Sequence, residues 1–265
     1  MRKKSHISLA RDIVRNSEDE GLRKHKWAFY LGSILPDIKP SFLYKKHEID
    51  GTFEQVKKET GLPVRVLIRP RFGDFLYTHY EYQQMLADIR HFSQAGADGV
   101  VIGSLNTDGT LNEAQIGGMV KAAGNIGITL HRAFDVCADP IAALEKAAGM
   151  GVDTILTSGQ EADCLLGSKL IRHLIQVSAD MLKMENISGK PTILVGGGVK
   201  SSNIAEIAKA TGAYAFHLSG KKLCSSDMQY RNERVHMGLE GISEFEIYRT
   251  DEEEIYRTVE ILQSL

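Results

Sequence analysis

Gly96-Ala97-Asp98-Gly99-Val100-Val101-Ile102-Gly103-Ser104 is the stretch that decides the fold. A short β-branched apolar run enters from a Gly/Asp turn and leaves through a Gly-Ser loop, the pattern of a strand buried on both faces of a parallel sheet. The same texture recurs at residues 64–68, 128–131, 154–157, 192–195 and 214–218, which with 99–102 predicts six strands. Amphipathic stretches lie between them. Met85, Ile89 and Phe92 recur at i, i+4 and i+7, and Asp139-Pro140 reads as an N-cap followed by proline at the first helical position. Strand starts fall about 20 to 40 residues apart, room enough for a crossover helix in each interval. The chain is therefore read as an α/β protein of successive βα units.

Six strands are two short of a closed (β/α)8 barrel. The expected architecture is a TIM-barrel type with the first two strands missing, open or incomplete, with edges exposed at 64–68 and 214–218 that invite a homo-oligomer. The first 60 residues differ in texture: Ile7, Ala10, Ile13 and Val14 form a helical stripe, and no β-rich run precedes Val64. Residues 1–51 are thus read as a short helical segment and 52–265 as the barrel domain, beginning with a short helix over 52–60.

Composition excludes several classes of function. The chain has 265 residues, 43% hydrophobic and 25% charged, the balance of a soluble globular protein. Lys plus Arg number 32 against 34 Asp plus Glu, a net charge of −2 that gives no general attraction to nucleic acid or an anionic membrane. Arg11, Asp12, Arg15 and Glu18 interrupt the amino terminus before a signal-peptide core could form, and no window has the length of an apolar transmembrane span. A cytoplasmic protein with neither nucleic-acid nor membrane partner is expected. Cys137, Cys164 and Cys224 are too scattered for a disulfide framework or a Cys-x-x-Cys clamp.

In parallel sheets ligands bind beyond the carboxyl ends of the strands. Those ends are polar or glycine-rich here, and a ligand-binding set is read from them: Arg69, Arg71, Asp74, His131, Arg132, Asp135, Ser158, Gly197, His217 and Ser219. Arg69 and Arg71 share strand parity and could clamp a carboxylate or phosphate, or else pair structurally with Asp74 and Asp135. His131 is the candidate acid–base group because an imidazole titrates near neutrality. Gly196-Gly197-Gly198-Val199 before Ser201 resembles a phosphate-binding corner, or simply a tight turn. Cys137 and Cys164 are weak candidates for a soft metal such as Cu(I). No complete Ser-His-Asp order, P-loop or HExxH motif is present.

Five motifs in order, Arg69-Pro70-Arg71-Phe72-Gly73-Asp74-Phe75, Gly96 to Gly103, His131-Arg132-Ala133-Phe134-Asp135, Ile155-Leu156-Thr157-Ser158-Gly159 and Gly196-Gly197-Gly198-Val199, resemble the CutC family. The resemblance implies a cytoplasmic (β/α)8 barrel associated with copper homeostasis and copper binding. Family members begin with two further strands that usually carry cysteines, and this chain lacks them, so copper as a bound ion is a reduced expectation and a small anion is the other ligand. An uncharacterised barrel enzyme acting on a phosphorylated or carboxylated metabolite is the alternative. Separately, Ser5-His6-Ile7-Ser8-Leu9-Ala10, Tyr30-Leu31-Gly32-Ser33-Ile34-Leu35-Pro36-Asp37 and Lys46-His47-Glu48 resemble the start of the zinc-dependent phospholipase C family. That resemblance implies His6, Asp37 and His47 as an incomplete zinc set, too few for a multi-metal hydrolase, so zinc is not expected and a zinc-dependent phospholipase stands as the last alternative. The two resemblances place a junction between residues 51 and 52.

Overall fold

The structure, a computed structural model, describes residues 57–58, 60–181, 190–232, 234, 243 and 245–265. The helical segment expected at 1–51, with its zinc-set residues His6, Asp37 and His47, lies outside the described residues, as does most of the helix expected at 52–60. Five parallel strands lie in sequence order: β1 (Arg65–Leu67), β2 (Gly99–Ile102), β3 (Gly127–Leu130), β4 (Thr154–Thr157) and β5 (Thr192–Val195). The crossovers are α1 (His79–Gln94), α2 (Glu113–Ala123), a 3-10 turn (Arg132–Val136) leading into α3 (Pro140–Gly149), and α4 (Ser168–Met181). After β5 come α5 (Ile204–Thr211), an antiparallel hairpin of β6 (Lys221–Ser225) with β7 (Glu246–Thr250), and α6 (Glu252–Ser264).

The expectation of six strands needs correcting. The segment 214–218 runs parallel beside β5 but pairs with it by a single bridge, Val195 to Phe216. Val195 N–H donates to the Ala215 carbonyl at 2.9 Å and His217 N–H to the Val195 carbonyl at 2.7 Å. Pairing stops there because the segment is short and flanked by Gly212 and Gly220, both at positive φ. The hairpin was not anticipated. Most of its residues are exposed, so it lacks the apolar signature of the sheet strands.

Local chemistry accounts for the helices. Thr78 and Glu81 form a capping box at the start of α1, and Asp139 accepts from Ile141 N and Ala142 N ahead of Pro140 in α3. Met85, Leu86 and Ile89 of α1 and Ile116 and Met119 of α2 are buried against Val100, Ile102, Ile128 and Leu130 of the sheet.

The amino-terminal ends of the strands are stitched together by one side chain. Arg65 crosses above Gly99 and Gly127 to reach Asp153, donating to its Oδ1 at 2.6 Å and to Thr129 Oγ1 at 2.8 Å. A Cβ on Gly127 would stand 2.6 Å from Arg65 Nη2, and one on Gly99 2.9 Å from Arg65 Cγ, so both glycines leave room for the crossing. Asp153 in turn accepts from Ile128 N at 2.6 Å and Thr154 Oγ1 at 2.6 Å. This ties β1, β3 and β4 on the side of the sheet away from the strand carboxyl ends.

Candidate functional site at the strand carboxyl ends

Three groups of side chains occupy the carboxyl ends of the strands. The first is built on the 3-10 turn after β3. Asp135, its side chain only 6% exposed, accepts from Arg132 Nε at 2.6 Å, Thr157 Oγ1 at 2.5 Å and Ser158 N at 3.0 Å. Arg132 also donates through Nη2 to Ser158 Oγ at 2.8 Å. The carboxylate thus fixes the guanidinium in one orientation against the loop after β4. Gly197, at φ +93°, comes next to this pair: a Cβ there would lie 2.9 Å from Ser158 Cβ and 3.8 Å from Arg132 Nη1. Arg132 Nη1 donates no hydrogen bond among the described residues. His217 adjoins Gly196, whose added Cβ would lie 3.4 Å from the His217 Nδ1. Burial first, and then Arg132, push the His217 pKa down. The structure therefore brings Arg132, Asp135, Ser158, Gly197 and His217 together, while Ser219 is exposed and makes none of these contacts.

The second group is a loop clamp. Arg71 donates to Glu81 Oε1 at 2.5 Å, Asp74 Oδ1 at 2.7 Å, and the carbonyls of Phe72, Asp74 and Leu76. Each guanidinium N–H has an acceptor within the loop or α1. The structural alternative holds for Arg71 and Asp74, so neither is left over to clamp a ligand. The other expected partner, Asp135, is taken by Arg132. Hydrogen bonding to Arg71 holds the Asp74 carboxyl below its ordinary range, and the Thr78 backbone bond, followed by the Thr78 hydroxyl and Arg71, lowers that of Glu81.

The third group surrounds Phe75. His131 packs on the Phe75 ring with centroids 4.9 Å apart, and Arg69 Cζ stands 4.8 Å above the same ring. Arg69 donates through Nη2 to the Gly73 carbonyl at 2.8 Å. His131 is 5% exposed, and its Nδ1 accepts from Ala133 N at 3.1 Å. Gly103 is obligatory beneath it, since a Cβ there would meet the imidazole Cε1 at 2.4 Å. Burial pushes the His131 pKa down to about 3, with Arg69 adding to the effect. The imidazole is therefore neutral near pH 7, which corrects its reading as a group titrating near neutrality. Arg69 Nε, Tyr77 Oη and His131 Nε2 are buried without a hydrogen-bond partner among the described residues. Each such orphan costs about 1–3 kcal/mol when nothing answers it.

The residues fit copper poorly. Cys137 and Cys164 are buried, and burial pushes both thiols up to about 11, so Cu(I) would have to displace a proton from each against that burial. Cys137 Sγ instead lies 3.5 Å from Gln160 Nε2. Among the described residues no group of three or more His, Cys, Asp or Glu side chains could hold a metal ion. Glu254 of α6 also reaches back to the phosphate-like corner, where Ser201 N and Oγ donate to its carboxylate at 2.6 and 2.7 Å.

Sequence reasoning missed Tyr77, Glu81, Thr157, Gln160 and Glu254. Glu81 was within reach, because Thr78-x-x-Glu81 spells a capping box. Gln160 has the positive φ of +59° but no distinguishing residue type, and Glu254 is remote in sequence from its partner.

Parallel βα units with a polar site at the strand carboxyl ends define a protein of the TIM-barrel type. The chain belongs to the CutC family, whose family model matches residues 48–222. A CutC family protein of Parabacteroides distasonis is 42% identical over 207 residues, covering 77% of this chain and 82% of that protein. The human copper homeostasis protein cutC homolog is 38% identical over 202 residues, covering 76% and 71%. A solved CutC structure from Streptococcus agalactiae superimposes with a TM-score of 0.59 at 26% identity, covering 66% of this chain and 80% of that one. The family match starts just ahead of the junction expected between residues 51 and 52. It does not reach the motifs of the phospholipase resemblance at residues 5–10 and 30–37 and touches the third, at 46–48, only at Glu48, so that resemblance is not shown. Among the described residues no helix is long and apolar enough to cross a membrane.

Proposed function

We propose that this chain serves copper homeostasis, the role in the name of the human homolog, and that its strand-end site takes a small carboxylate or phosphate in place of directly ligated copper. The observation that carries the reading is the Arg132 guanidinium, held by Asp135 and Ser158 beside Gly197 with Nη1 uncommitted. A fixed guanidinium edge next to a glycine turn suits an oxyanion. The lack of a group of three or more candidate ligands among the described residues, together with the burial of Cys137 and Cys164, weighs against a resident copper ion. The enzyme alternative would use the same anion site but needs an acid–base group, and a buried, neutral His131 serves that role poorly. A cytoplasmic setting accords with the unpaired cysteines. The test is calorimetric titration of the purified chain with inorganic phosphate, alongside Cu(I) in competition with a chelator. Arg132→Ala should weaken phosphate at least about tenfold, the loss of one charge-assisted contact. Unchanged phosphate affinity in that variant, or tight stoichiometric Cu(I) abolished by Cys137→Ser, would overturn the reading.

A further inference from the structure

We infer that Arg69, Tyr77 and His131 form a separate oxyanion cradle, in which three buried hydrogen-bond donors await the oxygens of a small carboxylate or phosphate. It rests on reading the strand carboxyl ends as an anion-binding face, and it assigns a second subsite there with its own residues.

The donor character follows from geometry. Ala133 N–H donates to His131 Nδ1, so that nitrogen carries a lone pair and the proton of the neutral ring sits on Nε2. His131 Nε2 is thus an N–H donor, and it has no acceptor among the described residues. Arg69 Nε is a donor by chemistry, and it too is buried and unanswered. Tyr77, 5% exposed, completes the set with a hydroxyl that also lacks a partner.

Two of the three side chains meet on one ring, and the third feels the charge of the first. Arg69 and His131 share the Phe75 ring, at 4.8 and 4.9 Å. The Arg69 charge is close enough to bias the protonation of both Tyr77 and His131. Arg71, packed 5.4 Å from the Tyr77 ring centroid, cannot supply the missing acceptor, because its guanidinium only donates and is already bonded to Asp74 and Glu81.

Folded proteins rarely leave three buried polar atoms unanswered within one site. All three here can act as donors, so the missing partner is an acceptor, and beside an arginine the favoured acceptor is an anion. A metal cation is the wrong complement for an imidazole N–H, a phenol hydroxyl and a guanidinium. The cradle is distinct from the Arg132 corner, which is organised by Asp135 and Ser158 and shares no residue with it.

The experiment uses the full chain, its Tyr77→Phe and Arg132→Ala variants, and two probes, acetate and inorganic phosphate, which separate a carboxylate from a phosphate source. Affinity is read by calorimetry and the His131 Nε2–H resonance by nitrogen-15 NMR. Tyr77→Phe removes only an unanswered hydroxyl, so its ligand-free melting temperature should not fall. Its affinity for the better probe should drop about tenfold, and that probe should shift the Nε2–H resonance of the unaltered chain. If Tyr77→Phe binds both probes normally while Arg132→Ala loses them, the cradle is refuted and the anion reading of the strand ends stands. If neither variant changes binding, or the unaltered chain binds neither probe at millimolar concentration, both are refuted. A ligand-free melting temperature several degrees lower in Tyr77→Phe would show that the hydroxyl has a structural partner, and would also refute the cradle.

Discussion

Replacing Asp153 by alanine is expected to cost about 3 kcal/mol of stability and to leave anion binding untouched. The magnitude follows from what the carboxylate holds. Ile128 N–H and the Thr154 hydroxyl each lose an acceptor, worth about 1 kcal/mol apiece where water can partly replace it. Water can do so here, because the Asp153 side chain is 42% exposed. Arg65 is less well placed, with its side chain 9% exposed. It keeps Thr129 Oγ1 but loses its anion, which adds about 1 kcal/mol, well below the cost of a fully buried pair. For a domain of this size the total corresponds to a fall in melting temperature of roughly 6–12 °C. Urea unfolding should show a lower midpoint at unchanged slope. Asp153→Asn, which keeps one acceptor oxygen, should recover part of the loss. Phosphate titration of the same variant should match the unaltered chain, because the network lies at the opposite ends of the strands. A change below about 1 kcal/mol would refute the stitching argument, and loss of phosphate binding would refute the independence of the two ends.

Two further outcomes are expected. His131 has a folded-state pKa of about 3 against an ordinary 6.5, so between those values the unfolded chain binds the additional proton. Its contribution is complete above about pH 6.5 and is lost on acidification toward pH 3, by about 2 kcal/mol at pH 5. Urea unfolding across pH 5–8 should show that slope flattened in His131→Phe, and an equal slope in both proteins would contradict the buried neutral imidazole. The outer edge of β1 has no strand partner among the described residues, and its Leu67 is 52% exposed. Light scattering after size exclusion should therefore find dimers or larger species, and a monodisperse monomer would count against edge pairing.

The sheet was legible because Val-Val-Ile, Ile-Leu-Thr and Thr-Ile-Leu-Val are runs whose burial on both faces leaves few alternatives to a parallel strand. The segment 214–218 was legible in position but not in extent. Tyr214 is 64% exposed, and apolar content alone does not reveal where a ladder stops. Lys221-Lys222-Leu223-Cys224-Ser225 carried no such signal, since its strand character comes from pairing with residues 246–250 across a long connection. At the candidate site, strand-end logic pointed to His131, Arg132, Asp135, Ser158 and Gly197, which lie at the strand carboxyl ends. It could not tell which of two neighbouring arginines would be consumed, because Arg71 is committed by Glu81, a residue on the next helix. Tyr77 was missed because it matters through the absence of a partner, and a sequence displays residues rather than unmet bonds.

Glu254 gives the order of synthesis a structural meaning. Ribosomes deliver the chain from its amino terminus, so the parallel strands and the loop around Ser201 exist before residue 254 does. Until the last helix leaves the exit tunnel, the Ser201 amide and hydroxyl face water without their carboxylate. This corner of the nascent molecule is completed only after translation has passed residue 254, so the finishing contact for the glycine-rich turn region is encoded 53 residues downstream of Ser201.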